Sequence, residues 1–170
     1  MYKMTTQQEQ LDITNKFINL RQNNKVKQGT WKNIENHKIY MDWLGLQLGY
    51  KTFDDWYKIS CKDIKNNYGG GLLQYYNGSP SHLVISVYSE ENWLPWKFTS
   101  TFNGYWEARE NHKIYADWLG TQLGYKTPED WYKINLKDIT NNYGGGLLQY
   151  YYNGSPLQIL ISVYPEENWL

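Results

Sequence analysis

The sequence predicts an all-α fold: two tandem repeats of four to five short helices each, with an N-terminal helix ahead of them. Three observations carry that expectation. The stretch Asn66-Asn67-Tyr68-Gly69-Gly70-Gly71-Leu72-Leu73-Gln74-Tyr75-Tyr76-Asn77-Gly78-Ser79-Pro80 returns as Asn141 to Pro156 with one extra tyrosine. Between Trp31–Tyr75 and Trp106–Tyr150, 35 of 45 paired positions are identical, and a fixed-period self-match of that kind marks a duplicated structural unit. The apolar residues recur at three- and four-residue steps without sustained alternation, and Ser-Pro, Thr-x-x-Asp and Gly punctuate them as caps and stops of short helices.

Residues 1–30 lie outside the duplication and read as a helix and linker. Leu11, Ile13, Phe17, Ile18 and Leu20 have rough helical spacing, and Gln22 to Gly29 reads as a polar loop. The first repeat covers 31–98, a joint covers 99–105, and the second repeat covers 106–170. Trp96, Phe98, Phe102 and Tyr105 make the region of the joint too apolar for a free tether.

Within the second repeat, Ile114, Tyr115, Trp118, Leu119 and Leu123 form one stripe of an amphipathic helix that Gly124 stops; Ile39, Tyr40, Trp43, Leu44, Leu48 and Gly49 are the first-repeat equivalents. Thr127-Pro128-Glu129-Asp130, or Thr52 to Asp55 with Phe53 in place of proline, then supplies a capping box for a short helix bearing Trp131 or Trp56. Ser60-Cys61-Lys62-Asp63 has the same spacing and opens a third helix toward Tyr68. The triple glycine is expected to break that helix. Leu72 to Tyr76 restart an apolar turn, Asn77-Gly78 ends it, and Ser79-Pro80 or Ser155-Pro156 caps a last helix. Glu90 to Leu94 and Glu166 to Leu170 close the two repeats with the same five residues.

Composition narrows the classes of function. Seventeen basic and seventeen acidic residues cancel, so no whole-chain field draws the protein to a polyanion. A local excess lies in the N-terminal segment, where Lys3, Lys16, Arg21, Lys25 and Lys27 outnumber Glu9 and Asp12. One cysteine, Cys61, cannot form an internal disulfide and is matched by Leu136, so a packed thiol in a reducing compartment is expected. No apolar run has the length of a bilayer span. A soluble, intracellular protein without a membrane partner is the expectation. Nine tryptophans and seventeen tyrosines are a high aromatic load. Abundant Asn, Lys, Tyr and Ile are also what an AT-rich genome encodes, so the excess alone does not define a ligand site. Trp43, Trp56, Trp93, Trp118, Trp131 and Trp169 fall on or beside apolar stripes and read as core. Trp96 and Tyr152 read as freer, for contacts outside the fold.

Catalysis finds little support in the residues. His37 and His112 stand at the start of the first helix with no carboxylate or thiol at metal-ligand spacing, and a solvent-facing or capping role is expected. Asp54-Asp55 and Glu129-Asp130 suit a helix N-terminus, where they meet the positive end of the dipole. Tyr68 to Gly71 lacks both the preceding strand and the Gly-Lys-Ser/Thr ending of a phosphate loop. No cofactor, metal or enzymatic activity is expected. The corner around each glycine turn, by contrast, resembles a helix-turn-helix. Lys62, Lys65, Asn66, Asn67 and Gln74, or Lys137, Asn141, Asn142 and Gln149, could reach phosphates and base edges there, and the helix starts at Ser79 and Ser155 could take a phosphate.

The combined series Tyr-x-x-Trp-Leu-Gly, Asp-Trp-Tyr-Lys-Ile, Asp-Ile, Gly-Gly-Gly-Leu-Leu, Tyr-Asn-Gly-Ser-Pro, Val-Tyr-(Pro)-Glu and Trp-Leu-Pro-Trp-Lys-Phe resembles a poorly characterised tandem repeat of giant DNA viruses and some fungi. It spans residues 31–170 and departs from the pattern at Ser89, where Pro165 stands in the second copy. The resemblance implies a soluble protein of the host cell or virion and names no reaction. The layout also looks like the small helical repeats appended to helicases and homing endonucleases, which by analogy implies nucleic-acid binding. A non-enzymatic nucleic-acid-binding module using the two corners is the first expectation. A protein-interaction or assembly module using exposed aromatic surfaces is the alternative.

Overall fold

Capping chemistry and turn residues divide the chain into short helices, as a computed structural model describing residues 5–169 makes explicit. Lys3 of the basic N-terminal segment and Leu170 of the closing pentapeptide lie outside those residues. Among the described residues the fold is all-α: nine α-helices, several short 3₁₀ helices and one hairpin with two-residue strands. The chain divides into unit 1, Met1–Phe102, and unit 2, Asn103–Leu170.

In unit 1, α1 (Gln7–Asn19) starts at a reciprocal capping box between Thr6 and Glu9 and buries Phe17. The Phe17 ring stacks on Trp43 at 4.0 Å between centroids. The expected polar loop is instead a hairpin, β1 (Arg21–Gln22) against β2 (Lys25–Val26). Asn23 and Asn24 occupy its two central positions at φ 49° and 60°, the left-handed pair that a two-residue hairpin turn requires and asparagine tolerates. Then come α2 (Glu35–Gln47), α3 (Cys61–Asn66), α4 (Gly70–Tyr75) and α5 (Pro80–Val87). The boxes Thr52/Asp55 and Ser60/Asp63 form as expected, and Ser79 caps α5. The core gathers Tyr40, Leu44, Ile64, Leu72, Leu83 and Trp56, all inaccessible to solvent.

Unit 2 contains α6 (Arg109–Leu123), α7 (Leu136–Thr140), α8 (Gly145–Tyr152) and α9 (Pro156–Val163). Thr127/Asp130 and Asn135/Asp138 box its turn and α7, and Ser155 caps α9. The extra tyrosine lengthens α8 to eight residues against six in α4, and Tyr150 stands 83% exposed.

Four further expectations need correction. The buried face of α6 is rotated from the predicted stripe: His112 and Ala116 point inward with Tyr115 and Leu119, whereas Ile114 is exposed. The triple glycine does not end a helix. α3 ends at Asn66, Tyr68 takes the left-handed conformation at φ 68°, and Gly70 and Gly71 form the first turn of α4, whose formation is driven by burial of Leu72 and Leu73. Trp96 and Tyr152, expected to be free for outside contacts, are both buried, Tyr152 because its hydroxyl meets His112. His37 and His112 are neither solvent-facing nor capping; both are buried.

Candidate functional site

Each predicted corner is built by one buried tyrosine. The Tyr40 hydroxyl donates to Ile64 O at 3.2 Å, and Tyr115 does the same to Ile139 O at 3.3 Å and Asn142 O at 3.0 Å. This ties the middle of the long helix to the end of α3 or α7. A Cβ on Gly69 or Gly144 would collide with that hydroxyl and with Ile64 or Ile139 Cγ2. Glycine at those two positions is therefore a close-approach requirement. The left-handed residue before it, Tyr68 or Tyr143, throws its phenol out of the core, and both rings are exposed.

The predicted contact residues separate into two groups. Lys62, Lys65, Asn66 and Gln74 in unit 1, and Lys137, Asn141 and Gln149 in unit 2, have exposed side chains. The others have structural duties. Asn67 Nδ2 donates to Asp63 O at 2.8 Å and Asn142 Nδ2 to Asp138 O at 2.7 Å, closing the ends of α3 and α7. Ser79 Oγ accepts from His82 N and Ser155 Oγ from Gln158 N.

A residue outside the predicted set joins the first corner. The Arg21 guanidinium, carried on β1, lies 3.9 Å from the centroid of the Tyr68 ring, a cation–π contact. It links the basic N-terminal segment to the corner of unit 1. The hairpin that delivers it was hidden because its signal is only an Asn-Asn pair. Where unit 1 has Lys65, unit 2 has Thr140, whose hydroxyl donates to Leu136 O.

The division of charge follows the same line. Residues 1–102 hold twelve basic and nine acidic residues, net +3, and residues 103–170 hold five and eight, net −3.

The two histidines show what buried titratable groups do here. His37 Nε2 lies 2.9 Å from Trp31 O and Nδ1 2.7 Å from Tyr76 Oη; His112 repeats this with Trp106 O at 2.7 Å and Tyr152 Oη at 2.6 Å. A carbonyl only accepts, so Nε2 carries the hydrogen and Nδ1 is left to receive the tyrosine hydroxyl. Nδ1 thereby holds α2 to the end of α4, or α6 to the end of α8, while Nε2 pins the turn that precedes the long helix.

A third recurring set lies on the long helices. Asp42 receives Lys38 at 2.8 Å and the Tyr88 hydroxyl at 2.9 Å; Asp117 receives Lys113 at 3.1 Å and the Tyr164 hydroxyl at 2.6 Å. Burial first, then the Asp117 hydrogen bond, raises the Tyr164 pKa. Among the described residues no group of three or more His, Cys, Asp or Glu is placed to hold a metal, and no helix is long and apolar enough to cross a membrane.

Comparison with protein-family models, with curated proteins and with solved structures found no match. The geometry is therefore the basis for a functional reading.

Proposed function

We propose that the chain is a non-catalytic helical module whose unit 1 contacts nucleic acid through the α3–α4 corner and the basic segment beside it. The observation that carries this reading is the seating of Arg21 on Tyr68, which brings a cation from the N-terminal segment to the corner that already exposes Lys62, Lys65, Asn66 and Gln74. Exposed tyrosine beside lysine and amide side chains is the chemistry of single-stranded binding, in which bases stack on rings and cations follow the phosphates. The +3 balance of residues 1–102 favours such a partner, and the −3 of residues 103–170 makes unit 2 the poorer contact. Engagement of both buried histidines in structural hydrogen bonds supports the non-catalytic half of the proposal.

A second reading, a protein-interaction surface, has its own observation in unit 2. Tyr143, Tyr150, Tyr151, Leu157 and Ile161 are all exposed, an apolar display that suits a protein partner.

Titration of the full chain with single-stranded and duplex DNA and RNA at several salt concentrations tests the first reading. Binding that weakens linearly in log–log form with salt, with single strands preferred, is expected. No binding at low salt, or binding indifferent to salt, removes it.

A further inference from the structure

The two units differ at one position where an aromatic ring in unit 1 is replaced by a smaller side chain in unit 2. In unit 1 Phe53 opens the Thr52-to-Asp55 turn, and its ring packs edge-on to Tyr88 at 5.4 Å and to Trp93 at 5.8 Å. The equivalent residue in unit 2 is Pro128, whose side chain is smaller, and the equivalents of Tyr88 and Trp93 are Tyr164 and Trp169. A second truncation adds to it, since Leu46 is matched by Thr121.

The consequence is a groove with a different lining. Unit 2 carries an opening of about 280 Å³ lined by Thr121, Pro128, Trp131, Tyr164, Trp169 and Asp117. The groove at the equivalent place in unit 1 is larger, about 360 Å³, and is lined by Asp42, Leu46, Phe53 and Tyr88, but it spreads toward Thr5 and Ile13 and reaches neither Trp56 nor Trp93. Exposure agrees: Trp56 is 0% accessible and Trp131 8%, and Tyr88, 6% accessible, is matched by a half-buried Tyr164.

We infer that this groove in unit 2 is a receptor for one aromatic side chain of a partner protein, a phenylalanine flanked by basic residues. The ring takes the place that Phe53 fills in unit 1, edge-on to Tyr164 and Trp169, a geometry that aromatic pairs favour. The flanking charge follows from the mouth. Asp117 and the exposed Glu167 outnumber Lys126 along it, and residues 103–170 are net negative, so a basic segment is attracted and an acidic one repelled. Asp117 is held in place by Lys113 and by the Tyr164 hydroxyl, which fixes the acceptor at the rim before the partner arrives. The inference is independent of the nucleic-acid reading, which concerns unit 1.

The test uses the full chain and the tripeptide Ac-Lys-Phe-Lys-NH2, with Ac-Lys-Leu-Lys-NH2 and Ac-Glu-Phe-Glu-NH2 as comparisons, followed through the indole N–H resonances of Trp131 and Trp169. Saturable shifts with a Kd of about 1 mM are expected for the first peptide, and affinity lower by about tenfold for each of the others. Pro128→Phe restores the internal ring and should abolish the shifts while the thermal midpoint is kept or raised. Thr121→Leu, which narrows the groove from the other wall, should weaken binding in the same direction and serves if the first variant folds poorly. No shift up to about 10 mM peptide, equal binding of the leucine peptide, or undiminished binding in both variants overturns the inference. Concentration-dependent dimerisation that Pro128→Phe removes also overturns it, by giving the groove to a second copy of the chain.

Discussion

At the scale of single residues the unusual feature is how many hydroxyl and imidazole groups are sealed inside a small protein. Burial pushes the phenols of Tyr40 and Tyr115 far above the ordinary tyrosine value, and those of Tyr50 and Tyr105 up to about 12. The folded values exceed the unfolded one, so these phenols' contribution to stability is complete below the unfolded pKa of about 10 and is lost as pH rises above it toward the folded values. A urea midpoint that is level from pH 7 to about 9 and falls steeply above about 10 is the expected profile. Tyr40→Phe should be less stable at neutral pH by about 1 kcal/mol, through loss of the bond to Ile64 O, yet lose less on going alkaline. A midpoint unchanged to pH 11 for the parent chain would contradict the account. The apolar stripe marked Tyr40 and Tyr115 for burial, but the burial of the two histidines was not legible from local sequence. His37 looked like a capping residue because its partner Tyr76 is 39 residues away, and a hydrogen bond over that separation leaves no mark in the spacing around either residue.

At the scale of elements, the sequence was readable wherever the signal is local. Thr52 with Asp55, Ser60 with Asp63 and Thr127 with Asp130 each close a box over three residues, and every one forms. The glycine run was misread because its three members do different jobs. Gly69 must lack a Cβ because the Tyr40 hydroxyl and Ile64 Cγ2 occupy that space, whereas a Cβ on Gly70 meets nothing within 4 Å. The contact that distinguishes them again comes from a distant helix. Gly69→Ala should therefore cost about 1–3 kcal/mol by overpacking the join of α2 and α3. Gly70→Ala, at the first position of α4, should be neutral or stabilise by up to about 1 kcal/mol by restricting the unfolded chain and favouring helix. Gly144→Ala belongs with the first, given the same collision with Tyr115 and Ile139. Chemical denaturation of the three variants decides it, and equal losses at Gly69 and Gly70 would mean that the run acts as a flexible break after all.

At the scale of the whole molecule, neutrality conceals two charged halves. A reader of the composition sees seventeen against seventeen and discounts polyanion binding, because cancellation along the chain is indistinguishable from absence until the boundary at Phe102 is known. With that boundary, the two near-identical corners stop being equivalent. Unit 1 offers Lys62, Lys65 and, through Tyr68, Arg21, whereas unit 2 offers Lys137 alone and has Thr140 where Lys65 would stand. If phosphate contact belongs to unit 1, the salt dependence of binding must respond to each unit differently. Lys65→Gln and Arg21→Gln should each weaken binding across all sequences and lower the magnitude of the log–log salt slope by about 1, while Lys137→Gln leaves both affinity and slope unchanged. Arg21→Gln should also relax the exposed Tyr68 ring, so its loss should be larger for single strands than for duplex, a difference Lys65→Gln should not reproduce. Equal slope changes from Lys65→Gln and Lys137→Gln would mean that both corners meet phosphate alike and that the opposite net charges of the two units play no part in choosing the partner.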